Sequence, residues 1–485
     1  MFKKLSVLLA SLCLLLSGCS AKNDTSATEN SGRDVTVDFV VVGGGAGGLS
    51  AASEAARQGK SVILLEKLAQ TGGSSALCEG YFWSADSKLN QQHGEGVSAS
   101  ELKDYLLEAA DGNAVEGAIS SITDIAGDVM DTMVDEGIQF MDQLNPSSGG
   151  YITDPRLQIF IAEGAGAGLM QGMLKAAQDL NVDIRLNSKA VDLIVEEGAV
   201  KGVKVEDKEG SYNVYASSTV LATGGFLRNE SLMKEYEPAW YEENPHCAAG
   251  STGDGHEMAM KLGAHMIGHN FGCVWQFDGK NGYHMEGGLM PMLSFFKVNK
   301  EGRRVMNEYG GFNVNANNDI TVQQTDRRVY CFMDSTSEYA AMAEQSVEKG
   351  LAFKADTLEE LAAHFGIDEQ GLMETVAKYN EAKQSGNDDR DFGVPNAYMV
   401  SMSEAPFYAT YYQPWATNNL SGLEVDEYFR ILDQDNKPIT NLYGVGELVI
   451  GSIVGNGNYP SCGTCLAAGI YGGPVAVRHA LGLMK

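Results

Sequence analysis

The stretch Val35-Thr36-Val37-Asp38-Phe39-Val40-Val41-Val42-Gly43-Gly44-Gly45-Ala46-Gly47-Gly48-Leu49-Ser50-Ala51-Ala52 decides the fold. Its first eight residues are β-branched and largely apolar, as in a parallel strand covered on both faces. Gly43, Gly45 and Gly48 then spell GxGxxG, and Leu49 to Arg57 is an Ala-rich helical run. A second strand, Ser61 to Leu65, ends on Glu66, 18 residues after Gly48. Strand, glycine turn, helix, strand and acid in that order predict a dinucleotide-binding βαβ unit. Gly43 permits the sharp turn, Gly45 lets the backbone approach a pyrophosphate, and Gly48 lets the helix pack on the strand. The helix start at Ala46 offers free amides and a positive dipole end to phosphates, and Glu66 is placed to accept hydrogen bonds from an adenosine ribose. On this pattern alone the nucleotide is NAD or FAD.

The whole chain of 485 residues is 44% apolar and 20% charged, a globular composition with room for roughly two to four folding units. Its 57 glycines cluster beside apolar runs, which points to backbone held close to a ligand. A formal net charge of −29 repels phosphate backbones, so nucleic acid is not an expected partner. There is no internal repeat.

The ends carry their own signals. Met1-Phe2-Lys3-Lys4 is basic, and the apolar run Leu5 to Leu16 is too short to span a bilayer, so it reads as an export signal. Leu16-Ser17-Gly18-Cys19 resembles the lipobox of bacterial lipoproteins, which implies a signal peptide over residues 1–19 and lipidation of Cys19. Residues 20–33 are polar and suit a flexible tether. The folded part is therefore expected on the extracytoplasmic face of a bacterial cell membrane, lipid-anchored. Beyond Cys13 and Cys19, the cysteines are Cys78, Cys247, Cys273, Cys331, Cys462 and Cys465, spaced too irregularly for a disulfide framework. Cys462-Gly463-Thr464-Cys465 is formally CxxC, without the second pair of a zinc site or the following His of a haem attachment.

Past the second strand, Glu66-Lys67, then Thr71-Gly72-Gly73-Ser74-Ser75-Ala76 and Gly80-Tyr81-Phe82-Trp83, resembles the FAD-dependent fumarate reductase, succinate dehydrogenase and 3-ketosteroid dehydrogenase superfamily. Its second fingerprint is Glu-Lys followed by Gly-Gly-[Asn/Ser/Thr]-[Ser/Thr]. Val220-Leu221-Ala222-Thr223-Gly224-Gly225-Phe226 is similar to its strand and ATGG turn, and Ser251-Thr252-Gly253-Asp254-Gly255 to its TGDG helix start. Asn441-Leu442-Tyr443-Gly444-Val445-Gly446-Glu447 resembles its late segment, whose Glu binds the flavin ribitol. The resemblance covers nearly all the chain after Arg33. It implies non-covalent FAD and an α/β fold, in which a Rossmann-type FAD-binding domain (34–235 and 396–485) is interrupted by an α+β capping domain (236–395). The implied FAD contacts are Gly43, Gly45, Ala46, Gly48, Glu66, Lys67, Gly73, Ser74, Ser75, Gly80, Ala190, Asp254, Asn418 and Glu447. Within the cap, Thr357 to Asn380 has helical periodicity and Ser385 to Arg390 is a polar exit loop.

The substrate end departs from the fumarate reductases. Those enzymes clamp a dicarboxylate with two His and two Arg, one Arg also delivering the proton. The corresponding segments here read Gln276-Phe277-Asp278-Gly279, a stretch around Pro291 with no Arg between Lys280 and Arg303, Thr417-Asn418, and Asn458-Tyr459. The last, extended to Pro460-Ser461-Cys462-Gly463, resembles the YPxxG segment of the 3-ketosteroid dehydrogenases, where the Tyr hydroxyl and Gly amide bond to the substrate ketone. Tyr459 and Gly463 are thus the expected oxyanion donors. Another Tyr of those dehydrogenases has Phe312 in its aligned place, with Tyr309 nearby, and a further one has only Tyr151 as a candidate. The group handling the α-proton stays open, with His284 and Asp278 as cap-side alternatives.

The expected activity is reduction of a C=C bond conjugated to a carbonyl, with hydride passing between flavin N5 and the β-carbon of a small enone. The alternatives are an unsaturated carboxylate of the fumarate, urocanate or acrylate type, and a flavoprotein that relays electrons without reducing a substrate. A single nucleotide fingerprint, together with export, implies an extracytoplasmic electron donor: a quinol system, or a flavin or haem protein.

Overall fold

The computed structural model describes residues 32–94, 96–110, 114–142, 154–268, 272–278, 296–308, 319–455 and 459–484, the side chains of 272–278 excepted. Cys19, Tyr151, His284, Tyr309 and Phe312 lie outside the described residues, as does the side chain of Asp278.

Val35–Val42 forms the expected strand, buried over Phe39 to Val42 and partly exposed before it, with Val62–Leu65 parallel to it on one side and Gly210–Leu221 on the other. Pro438–Gly444 continues the parallel set beside Gly210–Leu221, and Asp183–Arg185 beside Val62–Leu65. An antiparallel meander, Lys189–Glu196 and Ala199–Asp207, and the short strand Arg430–Leu432 complete an eight-stranded sheet. The register aligns Val42 with both Leu65 and Leu221, and Leu221 with Gly444. Three glycine turns therefore leave the sheet at one level of its carboxyl edge, where open α/β sheets bind ligands.

Close backbone contact needs the glycines it has. The helix Ala46–Arg57 packs against Thr464–Ala480, and a Cβ on Gly473 would come within 2.7 Å of the Ala51 nitrogen. One on Gly48 would fall 1.8 Å from the Gly43 carbonyl oxygen, so the helix seats on the turn only without a side chain there.

A second, five-stranded antiparallel sheet joins Gly272–Asp278, Phe407–Asn419, Val329–Asp334, Phe296–Val298 and Phe353–Ala355. Its long strand Phe407–Asn419 follows residue 395 in the chain and runs back toward the first sheet. The helical periodicity of 357–380 resolves into two helices, Leu358–Phe365 and Glu369–Ser385. Gly366 caps the first in the left-handed region (φ 63°), and Asp368 caps the second by accepting from the Gly371 amide. Their apolar faces meet the sheet around Phe296, Phe332 and Tyr379.

The two chain crossings between the sheets are tied by one buried carboxylate. Glu237, just past the helix Glu230–Tyr236, accepts from the Leu420 and Ser421 amides at 3.0 and 3.1 Å and from Asn419 Nδ2 at 2.9 Å. Burial pushes its carboxyl up to about 8 against the pull of these donors.

Candidate active site

A cleft with about 1080 Å³ of empty space, open solvent included, runs across the carboxyl edge of the first sheet. It is lined by Gly43, Gly45, Ala46, Glu66, Lys67, Gly73, Ser74, Ser75, Ala190, Asp254, Asn418 and Glu447, twelve of the fourteen residues expected at the cofactor. The other two do not line it. Gly48 packs under the turn as described, and Gly80 (φ 74°) faces protein, where a Cβ would lie 2.6 Å from the Ala165 carbonyl carbon.

Carboxylates organise both ends of the cleft. Buried Glu66 accepts from the Gly44 amide at 2.8 Å with one oxygen and from the Leu68 amide at 2.7 Å with the other. It thus fastens the glycine turn to the second strand, and each oxygen keeps acceptor capacity for ribose hydroxyls. Lys67 Nζ meets Thr252 Oγ1 at 2.6 Å and Asp254 Oδ2 at 2.5 Å. Burial raises the Asp254 carboxyl, but Lys67 and Lys189 outweigh it and hold the group below its usual range. Glu447 accepts from the Asn419 amide at 2.9 Å, and burial pushes its carboxyl up to about 7.

The cleft suits FAD in its bareness. A Cβ on Gly73 would meet no protein atom within 4 Å, and on Gly45, Gly224 or Gly446 none closer than 3.6 Å. These missing side chains open onto the cleft, leaving backbone for a pyrophosphate and a flavin to lie against. The Ala46 amide, expected at the phosphates, is here 3.3 Å from Ser75 Oγ.

A second space adjoins the first and shares Ser74, Cys78, Asn418, Cys465 and Leu466 with it. Tyr459 and Gly463, the two expected oxyanion donors, both line it. The Tyr459 hydroxyl oxygen accepts from the Cys465 amide at 2.8 Å. Gly463 caps the helix Thr464–Ala480 with φ 82°, and its missing Cβ would lie 1.9 Å from the Tyr81 carbonyl oxygen. Only glycine can make that turn there. Cys462 and Cys465 form no disulfide, and both line this space.

Glu79 and His246 line this space too, and neither belongs to a motif that the sequence singles out; Tyr81, from the Gly80-Tyr81-Phe82-Trp83 stretch, joins them. His246 comes from the segment before the TGDG turn; burial, then Arg228, lowers its pKa and keeps the ring neutral near pH 7. Glu79 lies between Thr71–Ala76 and Gly80–Trp83, at a position that neither stretch specifies. No Arg or Lys is among the described lining residues.

The model of the FAD binding domain family matches residues 38–466. NADH:acrylate oxidoreductase of Vibrio harveyi is 28% identical over 90% of this chain and 50% of its own, so this chain spans about half of that relative's length. Vinyl phenol reductase of Lactiplantibacillus plantarum is 28% identical over 91% of this chain and 96% of its own. The structure of 3-ketosteroid delta1-dehydrogenase from Sterolibacterium denitrificans matches with a TM-score of 0.78 at 21% identity, over 93% of this chain and 100% of that one, a likeness of fold. With a family match that takes in the glycine turn, both sheets and the second space, the chain belongs to the FAD-binding-domain family of oxidoreductases, and FAD is its cofactor.

Proposed function

We propose that this protein reduces a carbon–carbon double bond conjugated to a carbonyl in an uncharged enone of the 3-ketosteroid kind. One observation carries the reading: the space that shares a wall with the FAD cleft holds Tyr459 and Gly463 and, among its described lining residues, no Arg or Lys. FAD, when bound, supplies hydride at N5. The chain's own residues hold the other end of the conjugated system. Tyr459 and the Gly463 amide donate to the carbonyl oxygen and strengthen their hold as enolate charge builds there. A dicarboxylate would meet the Glu79 carboxyl with no described cation to balance it. The relative named vinyl phenol reductase supports a carboxylate-free substrate.

A second reading, an α,β-unsaturated carboxylate, is favoured by His246, the one described lining residue that becomes a cation on protonation, and by the relative named NADH:acrylate oxidoreductase. Reoxidation of dithionite-reduced protein by fumarate, an aryl acrylate and a Δ4-3-ketosteroid separates the two. Oxidation by the enone supports the first; oxidation by fumarate alone sinks it. A flavin that no acceptor reoxidises faster than buffer would make the protein an electron relay.

The same proposal puts the protein on the extracytoplasmic membrane face, anchored through Cys19 and fed by a quinol system or a flavin or haem protein. The basic start, short apolar run and Leu-Ser-Gly-Cys support the anchor. Cys19→Ala should move the protein out of the membrane fraction; unchanged partitioning would remove the anchor.

A further inference from the structure

We infer that Glu79 is the proton donor of this site, delivering its carboxyl proton to the α-carbon as hydride reaches the β-carbon. The inference rests on the proposed reduction of a conjugated C=C bond. That reaction adds hydride and proton together. Two electrons and one hydrogen come from reduced FAD, the second hydrogen comes from an acid in the pocket, and the acid regains its proton from water. Tyr459 is committed to the carbonyl oxygen, so the acid has to be another side chain.

The titratable groups lining the pocket besides Glu79 are Cys78, Tyr81, His246, Tyr459, Cys462 and Cys465. His246 is held neutral, and a neutral imidazole gives up a proton only with difficulty. The Cys78 thiol is pushed up, chiefly by burial, and the adjacent Glu79 charge raises it further, making it a weaker acid still. Glu79 differs in two respects. It is half-buried in the pocket wall, and it makes no hydrogen bond or ion pair to any described residue. Burial pushes its carboxyl up to about 7, so near neutral pH much of it carries a proton and still releases it readily.

The backbone around Glu79 is fixed. The Gly166 amide donates to the Cys78 carbonyl at 3.0 Å, the Gly80 amide to Cys78 Sγ at 3.4 Å, and the Ala162 amide to the Gly80 carbonyl at 3.4 Å. Gly80, at φ 74°, makes the turn that lets the side chain reach the pocket. A carboxyl on a pinned turn, without a partner among the described residues, is poorly suited to structural work, because burial without a hydrogen bond costs stability. It is well suited to meeting a substrate carbon in the space that Tyr459 also lines.

The test compares wild type with Glu79→Gln and Glu79→Asp as FAD-loaded proteins. Glu79→Gln should keep FAD and its melting temperature, yet be reoxidised by an enone on the order of 100-fold more slowly. Glu79→Asp, which keeps the acid, should recover part of the rate. The wild-type rate should fall as pH rises through about 7, and that dependence should vanish in Glu79→Gln. Independently of turnover, pH-difference infrared spectra of the apoprotein should show protonated-carboxyl absorbance bleaching near neutral pH, Glu447 and Glu237 contributing as well, and subtracting the Glu79→Gln spectrum should leave one band that belongs to Glu79. A Glu79→Gln enzyme with wild-type rate and pH profile overturns the inference and leaves the proposed function standing, as does a band that titrates in the ordinary carboxylate range. A wild-type flavin that no conjugated acceptor reoxidises overturns the proposed function and the proton-donor role with it.

Discussion

The hydroxyl oxygen of Tyr459 accepts a 2.8 Å hydrogen bond from the backbone amide of Cys465, in the first turn of the helix Thr464–Ala480. A donor at a helix N-terminus draws electron density from the phenol oxygen and makes its O–H the better hydrogen-bond donor. Tyr459→Phe keeps the ring and loses only that hydroxyl. It should retain FAD and fold normally, while reoxidation of the reduced flavin by an enone slows about 100-fold. Stopped-flow absorbance of the flavin band checks this; an unchanged rate would remove Tyr459 from the carbonyl site.

Two glycines two residues apart should behave oppositely. At Gly43, φ is 109° and a Cβ would sit 2.2 Å from the Ala222 carbonyl oxygen, so Gly43→Ala strains the fold itself. At Gly45, φ is −78° and the nearest atom to a Cβ is Ser75 Oγ at 3.7 Å. Gly45→Ala should therefore fold with a near-normal melting temperature and purify without FAD. Gly43→Ala should melt well below wild type. Equal melting temperatures for the two variants would contradict the packing described.

Glu237→Ala removes the acceptor from the Leu420 and Ser421 amides and from Asn419 Nδ2 at once. Each buried donor left unmet costs about 1–3 kcal/mol. A large drop in denaturant midpoint should follow, with weaker FAD retention, because Asn419 also donates its amide to Glu447. A loss of unfolding free energy under ~1 kcal/mol would show that water replaces the carboxylate without loss.

The apoprotein should lose stability as pH rises through neutrality. Burial raises the folded-state value of Glu447 to about 7 from the ordinary 4.5, so folding takes up a proton between those limits. The stabilisation is complete below about 4.5 and is lost as pH climbs through 7, by up to roughly 3 kcal/mol. Glu447→Gln cannot titrate, and its apoprotein should show a flatter melting temperature from pH 5 to 8. A slope equal to wild type would assign the pH dependence to other carboxyls, Glu237 and Glu79 among them.

Much of the cofactor cleft was legible in the sequence because it is built from backbone. Gly43, Gly45 and Gly48 announce themselves by spacing, since each meets a steric demand that other residues fail. Glu66 was legible as the acid ending a strand, although its bonds to the Gly44 and Leu68 amides were not. The substrate side was harder to read. Glu79 and Tyr81 reach the pocket from one short stretch and His246 from another more than 160 residues on, and their roles depend on burial and on which neighbours are missing, neither of which spacing encodes. Glu237 was invisible for a related reason: its partners lie more than 180 residues away, and only the two chain crossings bring them together. The single helical run over 357–380 split because Gly366 and Asp368 form a stop and a start back to back.

The wall held in common by the cleft and its neighbour, Ser74, Cys78, Asn418, Cys465 and Leu466, divides the tolerance of the chain to change. A substitution there disturbs two ligands at once. Of the residues facing only the second space, Leu77, which is 58% exposed, and Thr417 have no part in the proposed chemistry and do not line the cleft. Relatives sharing this scaffold can thus diverge in diet while keeping one prosthetic group, and a library confined to that outer set is the economical place to search for new acceptors.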